Sequence, residues 1–339
     1  MVEFLPVTAP AAAAADAVSR ALHASPRGHS FGRLTEAAMW LAACQDAAPA
    51  RPLEHPKVVV FIGQHGIVSR EVSAFAPAAN REQAAQLADG VSPAHVVARR
   101  AGATVDTVLT EASGSIDVED ALTEEQLDAA VELGRAAADS AIDAGADLLI
   151  PADLGVGNTT VAAAVMGRLT RTEPVAIIGP GSGITDNLWK NKVAVIRDAM
   201  FRARGLTEPL DLIRVCGGQD LAALVGFIAQ AAARRTPLLI DSPLTAVATV
   251  LAERLARGTA AWVYAASATD EPAHRLALAD LGLLPLLDAH LSTGQGVGSL
   301  AALELMSTGI ELAADEYAAF QVLNQAQPHD DTAAERDTA

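Results

Sequence analysis

Short apolar runs that end in glycine, aspartate or another polar residue alternate with longer stretches of helical periodicity along this chain. Continuous apolar runs of this kind are typical of strands that are buried on both faces of a parallel sheet. The runs cover residues 57–62, 103–109, 147–152, 175–178, 210–215, 237–241 and 262–266. Since helices are predicted between them, the pattern indicates an α/β protein with a mostly parallel sheet of six or seven strand–helix units.

The segments at the two ends of the chain predict a division into domains. Alanine-rich and amphipathic helices indicate a small helical lobe over residues 1–50, which the C-terminal helix completes. Residues 51–325 are predicted to form an α/β nucleotide-binding domain. Its last helix is expected to cover about residues 298–312. Residues 326–339 are polar and charged, which predicts a disordered tail.

A glycine-rich segment follows the central apolar run: Asp153-Leu-Gly-Val-Gly-Asn-Thr-Thr. Gly155 and Gly157 allow backbone N–H groups to approach an anion, and the helix that follows adds a partial positive charge. Asn158 and Thr159 are expected to cap that helix and could bind phosphate or ribose. Asp153 could bind sugar hydroxyls or a cationic ring. The same pattern also fits a glycine turn without a ligand, so both interpretations stay open.

Other candidate residues follow the strands or lie on the helices beside them. His65 lies in a predicted polar loop at a strand end, where open α/β sheets bind ligands, although it could simply stabilise that loop. A second glycine loop covers residues 179–183. Lys192 could neutralise a phosphate, or it could lie on a solvated helix face. Glu271 and His274 are candidate catalytic residues or stabilise their own loop.

Composition excludes several classes of function. The 339 residues carry 24 Lys and Arg against 41 Asp and Glu, a net charge of -17, so neither nucleic acid nor an anionic membrane is expected as a partner. Cys44 and Cys216 are too few for a disulfide framework or a cysteine zinc site, and no metal is predicted. The sequence shows no signal peptide and no apolar run of transmembrane length. We therefore expect a cytoplasmic protein.

Several motifs together resemble one known family. They are the glycine-rich segment, Gly179-Pro-Gly-Ser-Gly with Lys192-Val-Ala-Val-Ile, Gly217-Gly-Gln-Asp, Arg235-Thr-Pro-Leu-Leu-Ile-Asp, Pro26-Arg-Gly, Gln64-His-Gly and Glu271-Pro-Ala-His. In this order they resemble the nicotinate-nucleotide–dimethylbenzimidazole phosphoribosyltransferases of cobalamin nucleotide-loop assembly. The resemblance extends from about residue 26 to residue 320.

The resemblance implies a homodimer of doubly wound α/β subunits with a small helical lobe and without a cofactor. It implies transfer of phosphoribose from nicotinate mononucleotide to 5,6-dimethylbenzimidazole or a related base, giving α-ribazole phosphate and nicotinate. The nucleotide-binding positions carry over to Asp153, Gly155, Gly157, Asn158, Thr159, Gly181, Lys192 and Gly218. The acceptor-base pocket carries over to His65, Ser73, Phe75 and Leu291.

The chain departs from the family pattern around the incoming base. Gln295 occupies the position of the family's general-base glutamate, and a glutamine amide has no useful pKa. Gln64 stands where the family has aspartate, Phe75-Ala stands where it has Tyr-Pro, and residues 90–95 also differ. The nucleotide-side motifs, in contrast, are kept.

Three interpretations follow from these departures. The chain is a transferase that is slow or uses another proton acceptor, such as His65 or Asp241. Alternatively it is a catalytically impaired paralogue, which binds a nucleotide or is the silent subunit of a heterodimer with an active homologue. The third interpretation is a phosphoribosyltransferase with a changed acceptor that needs no base at residue 295.

Overall fold

A five-stranded parallel sheet forms the centre of the larger of two units into which the chain divides. The computed structural model describes residues 3–326, so that residues 327–339 of the predicted tail lie outside the described residues. The larger unit comprises residues 3–10 and 53–305, and the smaller unit comprises residues 11–52 and 306–326. The first residues, which we assigned to the small lobe, therefore belong to the larger unit.

The strands follow the apolar runs of the sequence. They are β1 (Pro56–His65), β2 (Thr104–Ser113), β3 (Leu148–Leu154), β4 (Leu238–Ile240) and β5 (Val263–Ala265). All neighbours pair in parallel in the order β2-β1-β3-β4-β5. β3 is buried along its whole length, as its continuous apolar run predicts. Because the order reverses beside β1, the sheet is doubly wound, and ligands of such sheets bind at the carboxyl ends of the strands near this reversal.

Two of the predicted strand–helix units were wrong. The run at residues 175–178 lies in a one-turn helix, Pro174–Ile177, and the run at residues 210–215 lies in the helix Pro209–Cys216. Each helix has proline at its first position, where the fixed φ and the missing N–H favour a helix start. A short apolar run does not distinguish a buried strand from a buried helix, so periodicity alone could not decide here.

The helices are distributed over both units of the chain. They are α1 (Ala12–His23), α2 (Pro26–His29), α3 (Arg33–Gln45), α4 (Ala79–Ala88), α5 (Pro93–Ala98), α6 (Glu124–Asp143), α7 (Asn158–Thr170), α8 (Pro174–Ile177), α9 (Asp186–Arg202), α10 (Pro209–Cys216), α11 (Gln219–Ala233), α12 (Pro243–Leu255), α13 (Pro272–Leu281) and α14 (Val297–Ala326). The predicted cap of α6 is confirmed: Thr123 accepts a hydrogen bond from Gln126 N, and the Gln126 side chain bonds the Thr123 backbone in return.

The last helix differs from its prediction in length and in character. α14 ends near residue 326 rather than residue 312. Of the described helices, only this one is long and apolar enough to cross a membrane by length and composition, with a mean hydropathy of 1.3 over its most apolar stretch. More than half of that stretch, 56%, is buried inside the protein. The core helix of a globular protein meets the same criterion, since a helix that is apolar all round is also a buried one.

In the smaller unit, a buried glutamate joins distant parts of the chain. Glu316 of α14 accepts hydrogen bonds from Ser25 Oγ at 2.7 Å and from Arg27 Nε. The two hydrogen bonds lower the pKa of Glu316, and the bond from Ser25 makes the larger contribution. The segment that we predicted as a loop between the first two helices contains α2, which Ser25 caps by accepting a bond from Gly28 N.

Helices α6 and α11 of the larger unit approach each other at two glycines. A Cβ atom on Gly134 would lie 1.8 Å from the carbonyl oxygen of Ala223, and one on Gly226 would lie 2.2 Å from that of Val131. Both distances are far inside van der Waals contact, so the two backbones can lie this close only without side chains at these positions. Much of the alanine-rich core depends on this close packing.

We expect Gly134→Ala to destabilise the protein by about 2 kcal/mol or more in urea unfolding, because the added methyl group forces the two helices apart. Helix propensity alone would have the opposite effect, because alanine in place of glycine in a helix raises stability by about 1 kcal/mol. The matched control is Gly205→Ala, since a Cβ at Gly205 meets no atom within 4 Å. That change should leave stability unchanged or raise it by up to about 1 kcal/mol. A Gly134→Ala protein as stable as the parent would contradict the proposed packing constraint.

Candidate active site

A cavity opens at the carboxyl ends of β3, β4 and β5, in the larger unit. Eleven of the residues that the sequence singled out line it: Ser73, Phe75, Asp153, Gly155, Gly157, Asn158, Thr159, Gly181, Asp241, Glu271 and Leu291. Four others lie behind this wall: His65, Lys192, Gly218 and Gln295. The location agrees with the general rule for doubly wound sheets, because loops at the strand ends converge there.

The glycine-rich loop begins α7, but its cap differs from the prediction. The N-cap is Gly157, at a φ of 97°, and it makes no side-chain cap bond. Asn158, which we expected to cap the helix, instead donates from Nδ2 to Asp153 Oδ2 and accepts from Thr159 N at 2.8 Å. A positive φ disfavours any residue with a side chain, so glycine displaces the better capping residue from the N-cap position.

Lys192 supplies a buried amino group beside this helix start. Its side chain is 1% exposed, and Nζ donates to Thr159 Oγ1 at 3.0 Å. A Cβ atom on Gly181, whose φ is 53°, would lie 2.9 Å from the same Nζ. Burial lowers the pKa of Lys192, while the charge of Glu271 acts in the opposite direction. An amino group, a hydroxyl group and a helix N-terminus thus meet at one place, which is the arrangement a phosphate group requires.

Three buried carboxyl groups line the same cavity, on three successive strand ends. Asp153 ends β3 and accepts hydrogen bonds from Ser242 Oγ and Asn158 Nδ2. Asp241 follows β4 and accepts from Ser299 N at 2.8 Å. Burial raises the pKa of Asp153 to about 7 and that of Asp241 to about 6. Both groups can therefore exchange protons near neutral pH, as groups that act in acid–base chemistry do.

Glu271 is the third carboxyl group and begins α13. Its Oε1 accepts a hydrogen bond from Gly181 N at 2.6 Å, and its Oε2 has no hydrogen-bond partner among the described residues. The sequence offered Glu271 only as one half of a pair with His274. His274 is itself buried and bonds Thr269 Oγ1 at 3.0 Å. The structure therefore separates the two roles, since Glu271 faces the cavity and His274 stabilises the loop.

The structure corrects the placement of His65. We expected it in a polar loop of the acceptor-base pocket, but β1 extends through it. Its Nε2 lies 3.1 Å from Asp220 Oδ2 and 3.5 Å from the position of a Cβ on Gly155. Burial alone would lower the pKa of His65, but the charge and hydrogen bond of Asp220 outweigh it and raise the pKa. Gly218 packs on the same imidazole ring. His65 and Gly218 therefore both lie behind the glycine-rich loop and support it.

The predicted acceptor side of the cavity contains Ser73, Phe75 and Leu291. Ser73 Oγ lies 3.0 Å from Ser182 Oγ, which joins this segment to the second glycine loop. Phe75 is 52% exposed and lies at the edge of the cavity. An aromatic ring, an aliphatic side chain and two hydroxyl groups therefore face the same space. Such a wall suits a flat heteroaromatic ring.

Gln295 lies just behind this side of the cavity. It is 2% exposed and has a φ of 57°, between Gly294 at 71° and Gly296 at 74°. Its Nε2 is 3.4 Å from Oε1 of Gln83, which lines the cavity, and its Oε1 has no partner within residues 3–326. Left-handed backbone at a residue with a side chain is uncommon, and such strain concentrates at functional sites.

Sequence reasoning missed two polar residues that organise the cavity. Asn80 donates from Nδ2 to Gly63 O at 2.8 Å and accepts from Val156 N at 2.7 Å, so it connects β1 with the glycine-rich loop. Ser242 carries the hydroxyl group that bonds Asp153. The position of Ser242, directly after Asp241 at a strand end, was the available signal. Asn80 gave no signal, because it lies on a helix far from both partners in the sequence.

Comparison with known proteins decides the family. A family model described as phosphoribosyltransferase matches residues 7–322. The nicotinate-nucleotide–dimethylbenzimidazole phosphoribosyltransferase of Mycobacterium ulcerans is 44% identical over 331 residues, covering 91% of this chain and 92% of the relative. The enzyme of the same name from Corynebacterium glutamicum is 43% identical over 300 residues, covering 84% of each chain. The chain belongs to the nicotinate-nucleotide–dimethylbenzimidazole phosphoribosyltransferase family.

Two solved structures from Thermus thermophilus share the fold of this family member. The phosphoribosyltransferase has a TM-score of 0.82 at 27% identity and covers 88% of this chain and 95% of its own. A structure of CobT has a TM-score of 0.83 at 28% identity and covers 89% of this chain and 96% of its own. The family resemblance and the α/β fold drawn from sequence motifs are thus confirmed.

We expect the buried Asp153 carboxyl group to make stability depend on pH in a defined direction. Its pKa rises from 3.8 to about 7 on folding, so the folded state binds one more proton between these values, and stability falls as the pH rises. In Asp153→Asn this loss is absent. The unfolding free energy of the variant minus that of the parent should therefore increase from pH 4 to pH 7, by on the order of 4 kcal/mol, and then level off.

Urea unfolding at intervals of one pH unit measures this difference, and the lost hydrogen bonds of Asp153 add only an offset that does not vary with pH. Asp288→Asn is the control of opposite sign, because the hydrogen bond of Arg275 lowers the pKa of Asp288. The corresponding difference for that variant should decrease as the pH rises, mainly at pH values near and below 3.8, and should be nearly flat above about pH 5. A difference for Asp153→Asn that is flat between pH 4 and pH 7 would refute a raised pKa at this residue.

Proposed function

We propose that this chain transfers phosphoribose from nicotinate mononucleotide to 5,6-dimethylbenzimidazole, with α-ribazole phosphate and nicotinate as products. The observation that carries the proposal is the convergence of Thr159 and Gly181, on the wall of the cavity at the start of α7, with the amino group of Lys192 directly behind them. The names of the relatives, which cover most of the chain, support the same substrates.

On the nucleotide side, the phosphate binds at the N-terminus of α7. Gly155 and Gly157 leave the backbone open to it, and the start of α7 adds the partial positive charge of a helix N-terminus. Lys192 adds the positive charge that an otherwise acidic protein needs at this point. Asp153 lies one loop away, where it can face the ribose or the pyridinium ring.

On the acceptor side, the azole base binds against Phe75 and Leu291, with Ser73 at the edge of the ring. Gln295 lies just behind this wall and does not take the proton of the base, because an amide does not titrate in the useful range. Pyridinium is a good leaving group, so orientation of the two substrates supplies a large part of the rate enhancement.

Two other interpretations of the sequence concern a silent subunit and a changed acceptor. A protein that only binds nucleotide needs no proton acceptor, and we would expect its base pocket to be apolar or filled. Three buried carboxyl groups line this cavity instead, and two of them have a raised pKa close to neutrality. This observation favours an active transferase over a silent subunit.

The homodimer and the cytoplasmic location that we expect from the sequence remain proposals. In support of a dimer, β2 is an edge strand of the sheet and exposes Leu109, which is 67% accessible. Exposed edge strands with apolar side chains are commonly covered by another chain. Light scattering of the purified protein tests the dimer, with a monomer as the contrary result.

The first test is a steady-state assay with nicotinate mononucleotide and 5,6-dimethylbenzimidazole that measures nicotinate release and α-ribazole phosphate by chromatography. Formation of both products in equal amounts is the expected result. Saturable binding of the mononucleotide without any product would overturn the transferase assignment and would favour the silent-subunit interpretation.

We expect Lys192→Met to raise the KM for nicotinate mononucleotide at least tenfold, since a hydrogen bond to a charged group contributes roughly 1.5–3 kcal/mol. Methionine keeps most of the apolar stem, so the change removes the charge with little loss of packing. Lys190→Met on the same helix is the matched control, because Lys190 is exposed. Equal KM values for the two variants would refute the phosphate assignment.

A further inference from the structure

The reaction leaves one proton without an assigned acceptor. A benzimidazole attacks through the nitrogen that carries a lone pair, and its other nitrogen loses an N–H proton. Three carboxyl groups line the cavity and could take that proton: Asp153, Asp241 and Glu271. A base must offer an oxygen atom that accepts no other hydrogen bond, so the existing hydrogen bonds of each carboxyl group distinguish among them.

Both oxygen atoms of Asp153 already accept a hydrogen bond. Ser242 Oγ donates to its Oδ1, and Asn158 Nδ2 donates to its Oδ2. Both donors are themselves fixed: Ser242 also bonds Thr245 at the start of α12, and Asn158 accepts from Thr159 N. Asp153 therefore stabilises the loops on the two sides of the cavity.

Glu271 has one free oxygen atom, Oε2, but it faces the nucleotide side. Oε1 of Glu271 accepts a hydrogen bond from Gly181 N, and the charge of Glu271 acts to raise the pKa of Lys192. A Cβ on Gly179 would lie within 2.7 Å of both carboxylate oxygens, so the second glycine loop covers this group. Its place is beside the phosphate site, where it can accept from a ribose hydroxyl group.

Asp241 differs from both. Its Oδ2 is fixed by Ser299 N at the start of α14, and its Oδ1 has no hydrogen-bond partner in the described part of the chain although the residue is only 5% exposed. A Cβ on Gly298 would lie 3.0 Å from Oδ2, so the loop that carries Leu291 and Gln295 ends directly against this carboxyl group. Asp241 is thus a buried group on the acceptor side. One of its oxygen atoms is fixed by a hydrogen bond, and the other has no partner among the described residues.

Resting on the proposed function, we propose that Asp241 is the general base of the transfer and takes the azole N–H proton on Oδ1. The lone pair of the other azole nitrogen forms a bond to C1′ of the ribose. The bond between C1′ and the pyridinium nitrogen breaks, and its electron pair returns to the nicotinate ring.

The electrostatics of the cavity agree with this assignment. Burial raises the pKa of Asp241 to about 6, which leaves it ionised at neutral pH and yet basic enough to accept a proton. The other titratable groups around it are Asp153 on β3 and Glu271 beyond β5; Lys192 lies on the far side of Glu271. The charge of Asp241 in turn helps to raise the pKa of Asp153.

Asp241→Asn tests the proposal, because asparagine keeps the size of the side chain and can still accept from Ser299 N. We expect kcat with 5,6-dimethylbenzimidazole to fall by about 10²–10⁴-fold, with the KM for nicotinate mononucleotide within about threefold of the parent. The parent should lose kcat below about pH 6, where Asp241 becomes protonated, and the variant should lack this acid limb. In Asp241→Ala, added formate should restore part of the turnover.

Glu271→Gln is the comparison variant. It should raise the KM for the mononucleotide and keep the acid limb. An Asp241→Asn protein that turns over within threefold of the parent, or a parent whose kcat stays flat down to pH 5, would overturn the assignment of Asp241 and leave the transferase assignment standing. A parent that binds the mononucleotide and forms no product would overturn both.

Discussion

Burial of carboxyl groups at the carboxyl ends of parallel strands is the constraint on which the rest of this site depends. An isolated carboxylate in a protein interior costs several kcal/mol, so it must be hydrogen-bonded or protonated. Asp153 meets this demand with a hydroxyl group from the start of α12 and an amide from the start of α7. Those two hydrogen bonds also fix the loops of the cavity. The buried Asp153 carboxyl group, which costs stability, therefore determines the shape of the site.

The sheet and its helices make this arrangement possible because small residues let backbones approach. Gly134 and Gly226 bring α6 and α11 into backbone contact, and Gly155, Gly157 and Gly181 leave room around one lysine and one helix start. With few aromatic side chains, only 4% of the chain, the core is filled largely by alanine, valine and leucine. Close packing therefore supplies the rigidity that a phosphate site needs, since a preformed site spends little binding energy on ordering.

The sequence predicted best where one local signal decides the structure. β3 and α6 follow directly from a continuous apolar run and from a capping box. It was less decisive where a distant contact matters: it left His65 as either a ligand contact or a loop support, and the pairing with Asp220, 155 residues away, favours the support. The predicted strand at residues 175–178 failed because four apolar residues fit a strand or a helix turn equally well. Most of the nucleotide side lies within residues 153–159, to which Gly181 and Lys192 are added, whereas the acceptor side is assembled from separate loops.

An amide at residue 295 makes physical sense beside these carboxyl groups. The backbone of Gln295 is fixed by its N–H bond to Asp153 O at 3.1 Å and by left-handed glycines on both sides, so its side chain can change without moving the loop. A glutamate here would place a fourth acid next to the cavity. Like charges in a desolvated space raise one another's pKa, so at neutral pH fewer of the acids would be ionised. A neutral amide at this position lets Asp241 ionise.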